Sequence, residues 1–184
     1  MAEPREPSLC LADELVLLTL DRPRGRIRRA LKVAGLPPLS QVTRELERRQ
    51  LVVARRLRRP NPAPSSALRS SRRHLAAIVW SVDRPSNADG ELLMLVALAG
   101  GLDDVSAAEH LRARHQIAAL GDRRHPPPAL LATLCDEAGV DSARELASKL
   151  LPGRVRVGPG DLDPGINEAV YGGGHGGGTL GGTM

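Results

Sequence analysis

Two strongly apolar stretches stand far apart in this chain. They are SLCLADELVLLTLD at 8–21 and ELLMLVALAGGL at 91–102. Both place apolar residues on every side of a helix, and such helices are enclosed by others instead of lying on a surface. We therefore expect a helical body with these two segments inside it. Ser8 is the predicted N-cap of the first helix.

The segments that follow the first helix differ in their periodicity. Residues 26–34 fit either a short strand or a basic helix. Apolar residues at helical spacing predict a helix over 39–50, and the β-branched run LVVARRL at 51–57 predicts a strand. The proline-rich residues 60–66 predict a turn or short linker. A further helix is predicted over 67–82.

The helix predicted over 67–82 has an apolar side and a basic side. An amphipathic helix of this kind turns one face to the core of a helical domain. Trp80 is interpreted as a core anchor on the apolar side. The inward positions are Leu68, Leu75, Val79 and Val82, and the basic side carries Arg69, Arg72 and Arg73.

The second half of the chain is predicted to be mostly helical. Three capping-box sequences, Ser-x-x-Asp or Ser-x-x-Glu, begin at Ser86, Ser106 and Ser142. The run RVRV at 154–157 predicts a stray strand, and the glycine-rich residues 171–184 cannot bury enough surface to become ordered. The helix ends predicted from glycine are Gly100, Gly121 and Gly139.

The charge is distributed unevenly along the chain. The net charge is +5, but residues 1–80 hold 17 basic and 7 acidic side chains, whereas residues 81–184 hold 9 and 14. Arginine can bind a phosphate group through two parallel hydrogen bonds. The basic half therefore predicts an anion-binding surface.

Several features bear on location. The apolar stretches fall well short of the ~20 residues that a membrane span requires, and MAEPREPS lacks the basic start of a secretory signal. Cys10 and Cys135 are isolated, which is typical of small core residues in a reducing compartment. We expect a cytoplasmic protein that can meet the inner face of the membrane peripherally.

The sequence offers little for catalysis. His110 and His115 are five residues apart, and zinc-protease helices need the spacing of four that puts both imidazoles on one face. Cys135 is followed by acidic residues, which raise the pKa of a thiol instead of activating it. We predict no enzymatic activity, no cofactor and no metal site.

A winged-helix DNA-binding protein is the alternative. The order of elements fits, with helix 39–50 presenting Arg44 and Arg48 to the major groove and the arginine-rich strand 51–59 forming the wing. However, a wing needs a returning strand, and the sequence after Ser66 has a helical pattern. Nucleic acid is therefore not the expected partner.

Three stretches invite comparison with a known family. They are SLCLADELVLLTLD followed by RGRI, then GLPPLSQVTRELERRQLVV, and then LRSSRRHLAAIVWSVDRPSNADGELLMLVALAGGLDDV. Together they resemble the Golgi phosphoprotein 3 family, in its small actinobacterial branch. The third stretch resembles the family's tryptophan-bearing helix, short loop and leucine-rich helix in order and spacing.

The resemblance implies a mostly helical, non-enzymatic domain with short hairpins. Eukaryotic members of the family bind phosphatidylinositol 4-phosphate at membranes and act as adaptors for membrane enzymes. The Trp and Arg of the family's headgroup pocket fall near Arg28 and Pro37, so no pocket residue is carried over. The family's middle helix and apolar hairpin have no counterpart between Leu57 and Ala67.

Together these observations predict a mainly α protein with short β-hairpin or strand elements. A single helical domain is expected over 8–157, after a disordered 1–7 and before a flexible glycine-rich tail over 158–184. We expect it to bind anionic, phosphoinositide-like lipid headgroups, with a protein-interaction scaffold as a further hypothesis. The candidate residues, expected to surround one anion, are Arg28, Arg29, Lys32, Arg72 and Arg73.

Overall fold

The computed structural model describes residues 9–52, 66–122 and 124–153. These residues form eight helices and no strand. The helices are α1 (Leu11–Thr19), α2 (Arg24–Val33), α3 (Leu39–Arg48), α4 (Ser66–Trp80), α5 (Asn87–Leu98), α6 (Ala107–Ala119), α7 (Ala129–Ala138) and α8 (Ala143–Leu150). The prediction of a mainly α fold is therefore confirmed.

The helix starts in the second half follow the predicted capping sequences. Ser86, Ser106 and Ser142 are the N-caps of α5, α6 and α8, and each hydroxyl accepts a hydrogen bond at 3.2 Å from the backbone N–H three residues later. At Ser106 the box is complete, since the Glu109 carboxylate accepts from the Ser106 N–H at 3.0 Å. Caps of this kind each stabilise a helix by about 1 kcal/mol.

Glycines end two of the helices as predicted. Gly139 is the C-cap of α7 with φ +61°, and Gly100 follows α5 with φ +82°. Only glycine adopts this left-handed conformation without a steric cost. A side chain at either position would therefore strain the turn that leads into the next element.

The start of α1 differs from the prediction. The N-cap is Cys10 and not Ser8, which lies outside the described residues. The Cys10 N–H donates to the Asp13 carboxylate at 3.2 Å, and this bond sets the first turn. Cys10 is exposed, so its interpretation as a core residue is wrong. Cys135, by contrast, is half-buried.

The ambiguous segment near residue 30 is helical. In α2 the side chains of Ile27, Ala30 and Leu31 are buried, and the basic side chains are exposed. A strand would alternate its faces and bury cations beside these apolar residues. The helix separates the two kinds of side chain, which is why it is the favoured form.

The apolar side of α4 is shorter than predicted. Leu68 and Val79 are buried and Leu75 is half-buried, but Val82 is 95% exposed and Trp80 is 49% exposed. Because α4 ends at Trp80, Val82 no longer follows the helical repeat. The prediction of Val82 as a core position and the interpretation of Trp80 as a core anchor are therefore wrong.

The predicted strands are not found in the described residues. Leu51 and Val52 are not in a strand: the Leu51 N–H bonds back to the Leu46 carbonyl at 2.9 Å, and Gln50 has φ +58°. These contacts close the end of α3. The rest of the predicted strand and wing, in 53–59, lies outside the described residues. So do the predicted disordered start 1–7, the strand 154–157 and the tail 158–184.

Helices α1 and α5 form the centre of the fold. They pack on each other, and α5 is buried over seven of its positions, including Leu93 and Leu95, which are fully enclosed. Each such leucine stabilises the fold by about 2 kcal/mol through burial. The expectation that both apolar stretches are internal is confirmed. Helices α2 and α4 each pack on both α1 and α5.

Candidate anion-binding surfaces

The five candidate residues lie on two helices that do not pack closely on each other. Arg28, Arg29 and Lys32 belong to α2, and Arg72 and Arg73 belong to α4. Both helices pack on α1 and on α5, but not closely on each other. The structure therefore places three of the candidate residues on one helix and two on another.

The first surface is a row of three cations along α2. Arg24, Arg28 and Lys32 follow one another at a spacing of four, which places them on one side of the helix. All three are exposed, and none forms an ion pair with a described residue. Like charges at this spacing destabilise a helix by a few tenths of a kcal/mol per pair.

The other basic residues of this region are paired. Arg22 donates to Asp104 at 2.6 Å, and Arg26 donates to Asp103 at 2.6 Å. Arg29 lies 3.7 Å from a carboxylate oxygen of Glu137 on α7. Carboxylates of the acidic half therefore pair with the cations beside the row, whereas no described carboxylate pairs with the row itself.

The second surface, which we call the α4 face, is the exposed side of α4. Arg69, Arg73 and Trp80 are spaced by four and seven residues and lie along one side of the helix. All are exposed, and α4 contains no acidic residue. The Arg112 guanidinium lies 5.7 Å from the centroid of the Trp80 ring, within the range of a cation–π contact. The α4 face therefore combines exposed guanidinium groups with an indole.

The position of α4 is held by a histidine on an adjacent side of the helix. Nδ1 of His74 lies 3.1 Å from Oε1 of Glu14 on α1, and Nε2 lies 2.9 Å from Oδ1 of Asp89 on α5. Partial burial by itself lowers the pKa of His74, but the hydrogen bonds to Glu14 and Asp89 outweigh it and the pKa is raised. The imidazolium form thus joins three helices.

Other groups with chemical potential are found elsewhere. Burial, with a contribution from the charge of Asp136, raises the pKa of the Cys135 thiol, as predicted. Burial, followed by the charge of Arg114, lowers the pKa of His110, whereas His115 is exposed. Within 9–52, 66–122 and 124–153, no three His, Cys, Asp or Glu side chains lie close enough to hold a metal ion.

The proposed recognition helix of the DNA-binding alternative carries two arginines in different surroundings. Arg44 is exposed on α3, but Arg48 donates two hydrogen bonds to Glu45, at 2.9 and 2.7 Å. The chain is helical from Ser66 onward, as predicted. A returning strand of a wing is therefore not formed by the residues that follow.

Comparison of the chain with protein-family models, curated proteins and solved structures finds no match. No helix among the described residues combines the length and the hydropathy that crossing a bilayer demands. Function is therefore inferred from the surfaces themselves.

Proposed function

We propose that this protein binds anionic phospholipid headgroups at a membrane surface through the α4 face. The single observation that carries the proposal is the half-exposed Trp80 on the same side of α4 as Arg69 and Arg73. Tryptophan is enriched at membrane–water interfaces because its ring is apolar and its N–H is polar. Arginine side chains reach past an apolar body to headgroup phosphates.

The charge of the α4 face supports the same partner. Arg69, Arg72 and Arg73 stand on a helix without acidic residues, so no carboxylate of that helix competes for them. Each cation near an anionic bilayer contributes about 1 kcal/mol, and salt weakens the attraction. Three such residues together contribute about 3 kcal/mol, and insertion of the Trp80 ring adds to this.

The row on α2 is a second cationic surface, and it provides a matched comparison. The row consists of Arg24, Arg28 and Lys32, and it carries the same charge as Arg69, Arg72 and Arg73 but lies on a different helix. If the protein binds a bilayer by net charge alone, neutralising either set of three cations should weaken binding equally. If it binds through the α4 face, neutralising Arg69, Arg72 and Arg73 should weaken binding much more.

The test is co-sedimentation with vesicles of phosphatidylcholine alone, with phosphatidylglycerol added, or with phosphatidylinositol 4-phosphate added at equal total charge. We expect salt-sensitive binding to both anionic compositions. The triple variant Arg69→Gln/Arg72→Gln/Arg73→Gln should bind more than tenfold more weakly, at about 1 kcal/mol per cation. The matched variant Arg24→Gln/Arg28→Gln/Lys32→Gln should lose much less.

Each other outcome has a clear meaning. Absence of binding to any anionic vesicle rejects lipid binding. Equal losses in the two triple variants reject the α4 face as the site. Salt-sensitive binding to duplex DNA without vesicle binding supports the winged-helix alternative through Arg44. Recovery of a protein partner by both triple variants supports the scaffold hypothesis.

The resemblance to the Golgi phosphoprotein 3 family belongs to this proposal. Its three stretches coincide with α1 and the start of α2, with α3, and with the α4–α5 pair. On this proposal the protein is a non-enzymatic, adaptor-type member, cytoplasmic and peripheral on the inner face of the membrane. Stronger binding to phosphatidylinositol 4-phosphate than to phosphatidylglycerol at equal charge is the result that favours the family's specificity.

A further inference from the structure

A groove of about 240 Å3 opens between α2, α5, α7 and α8, away from the α4 face. Its apolar surface comes from Leu98 and Leu150, which are half-buried, and Leu134 is almost fully buried beside them. Arg29 and Lys149 stand at its polar side. An apolar floor with two cations is the arrangement that accommodates an amphiphilic anion.

The cations of the groove are held by different contacts. Lys149 donates from Nζ to the backbone carbonyl of Ala138, at the end of α7, at 2.5 Å. An ammonium has three donors, so this bond leaves two for a ligand. Arg29 lies 3.7 Å from Glu137, a longer separation than the 2.6 Å of the neighbouring Arg26–Asp103 pair. The Arg29 guanidinium is therefore only loosely engaged.

We propose that this groove binds a single alkyl carboxylate of short to medium chain length, with the carboxylate between Arg29 and Lys149 and the chain on Leu98 and Leu150. The volume lies below the roughly 300–1,000 Å3 of pockets for drug-sized ligands, so the chain must be short. Arg29 offers a planar pair of donors that fits a carboxylate. Glu137 competes with the ligand for Arg29.

The role of Glu137 distinguishes a ligand site from a structural ion pair. Its carboxylate occupies the partner position that the ligand takes, and it repels a second carboxylate. Removing its charge with Glu137→Gln should strengthen ligand binding several-fold. A residue with only a structural role gives no gain on substitution.

The experiment is calorimetric titration of the full chain with straight-chain carboxylates, from butanoate to decanoate, each below its micelle concentration. Affinity should rise about fourfold per added methylene until the groove is full, and then stop rising. The alkylammonium of equal chain length should bind at least tenfold more weakly. Arg29→Gln and Lys149→Gln should each weaken carboxylate binding, whereas Arg26→Gln should not.

The proposal fails if no carboxylate binds, if the ammonium binds as well as the carboxylate, or if Glu137→Gln weakens binding. If Arg29→Gln does not fold, as shown by circular dichroism, the gain expected from Glu137→Gln still decides the matter. Because these ligands are monomeric and the α4 face is not involved, failure here leaves the membrane proposal standing. Likewise, if the protein does not bind vesicles, the proposal that the groove binds a carboxylate still stands.

Discussion

The Nε2 atom of His74 on α4 lies 2.9 Å from Oδ1 of Asp89 on α5. The other ring nitrogen faces Glu14 on α1 at 3.1 Å, so one imidazole connects three helices. Neither contact follows from the spacing of these residues in the chain. Both depend on α4 packing against α1 and α5.

This arrangement makes stability depend on pH. Despite partial burial, the carboxylates of Glu14 and Asp89 raise the pKa of folded His74 above 6.5. A raised pKa adds stability that is fully present below about pH 6.5 and is lost as the pH rises through the folded value. The side chain is 42% exposed, so after screening by solvent we expect the loss to be about 1 kcal/mol or less.

The measurement is urea unfolding of the wild-type protein and His74→Asn across this pH range. The wild type should have a higher free energy of unfolding than the variant at low pH, and this difference should decrease as the pH increases. His115→Asn, at an exposed position on α6, serves as the control and should follow the wild type. If the free energy of unfolding depends on pH in the same way in the wild type and in His74→Asn, His74 is not the source of the pH dependence.

A second prediction concerns the contact between α1 and the end of α3. Arg49 donates to Asp13 at 2.8 Å, and the Asp13 side chain is only 6% exposed. Asp13 also accepts the Cys10 N–H, so its removal takes a buried carboxylate from the partly buried Arg49 guanidinium and leaves α1 without its first-turn bond. We expect Asp13→Ala to lower the free energy of unfolding by about 2 kcal/mol, because hydrogen bonds to a charged group are lost.

Denaturant unfolding checks this value, and Arg48→Ala is the matched control. Arg48 is adjacent to Arg49 and also pairs with a carboxylate, but both it and Glu45 are exposed to solvent. Solvent screens such a pair, so little change is expected. If Asp13→Ala and Arg48→Ala lower the free energy of unfolding by similar amounts, burial of Asp13 does not strengthen its ion pair.

Two glycines provide a third prediction with opposite signs. A Cβ at Gly90 in α5 lies 2.5 Å from a terminal carbon of Leu120, which is fully buried, whereas a Cβ at Gly25 in α2 meets nothing within 4 Å. Gly25→Ala should stabilise the protein by about 0.5–1 kcal/mol through helix propensity. Gly90→Ala should destabilise it by about 1–2 kcal/mol, because overpacking outweighs the same gain. Melting temperatures that rise in both variants contradict the close α5–α6 approach.

The fourth prediction uses the fact that Trp80 is the single tryptophan of the chain. If the α4 face meets the bilayer, Trp80 emission should shift to the blue on adding anionic vesicles, because its exposed ring leaves water. Lipids brominated near the headgroup end of the chain should quench it more than lipids brominated near the methyl end. Sedimentation without any change in emission places the contact on another surface.

The helix starts and the enclosed helices could be predicted from the sequence because they depend on local patterns. Ser106 and Glu109 satisfy each other within one turn, so their capping box forms wherever α6 is placed. Because α5 has apolar residues on every side, it must be buried in any fold. Val82 shows the limit of such reasoning, because the helical repeat that predicts its burial ends at Trp80, and in the turn that follows the Ser81 hydroxyl accepts a hydrogen bond from the Asp83 N–H.

The candidate site depended more on tertiary contacts. The sequence identifies Arg28, Arg29 and Arg72 as basic residues on predicted surfaces, but it does not reveal which of them pair. The Arg29–Glu137 contact joins residues far apart in the chain, and α2 and α4 do not pack closely on each other. The half-exposure of Trp80 depends in the same way on what packs beside it.

By itself, the sequence determined that the chain is mainly helical, where its second-half helices begin, and that its first half is cationic. These properties arise from hydrogen bonds and charges within a few residues. Only the tertiary structure decided which arginines of the described residues pair with carboxylates, and it placed the candidate residues on two helices, α2 and α4, that do not pack closely on each other. The physical reason is that an ion pair between two helices depends on the distance between them. The packing of the other helices on α1 and α5 sets these distances.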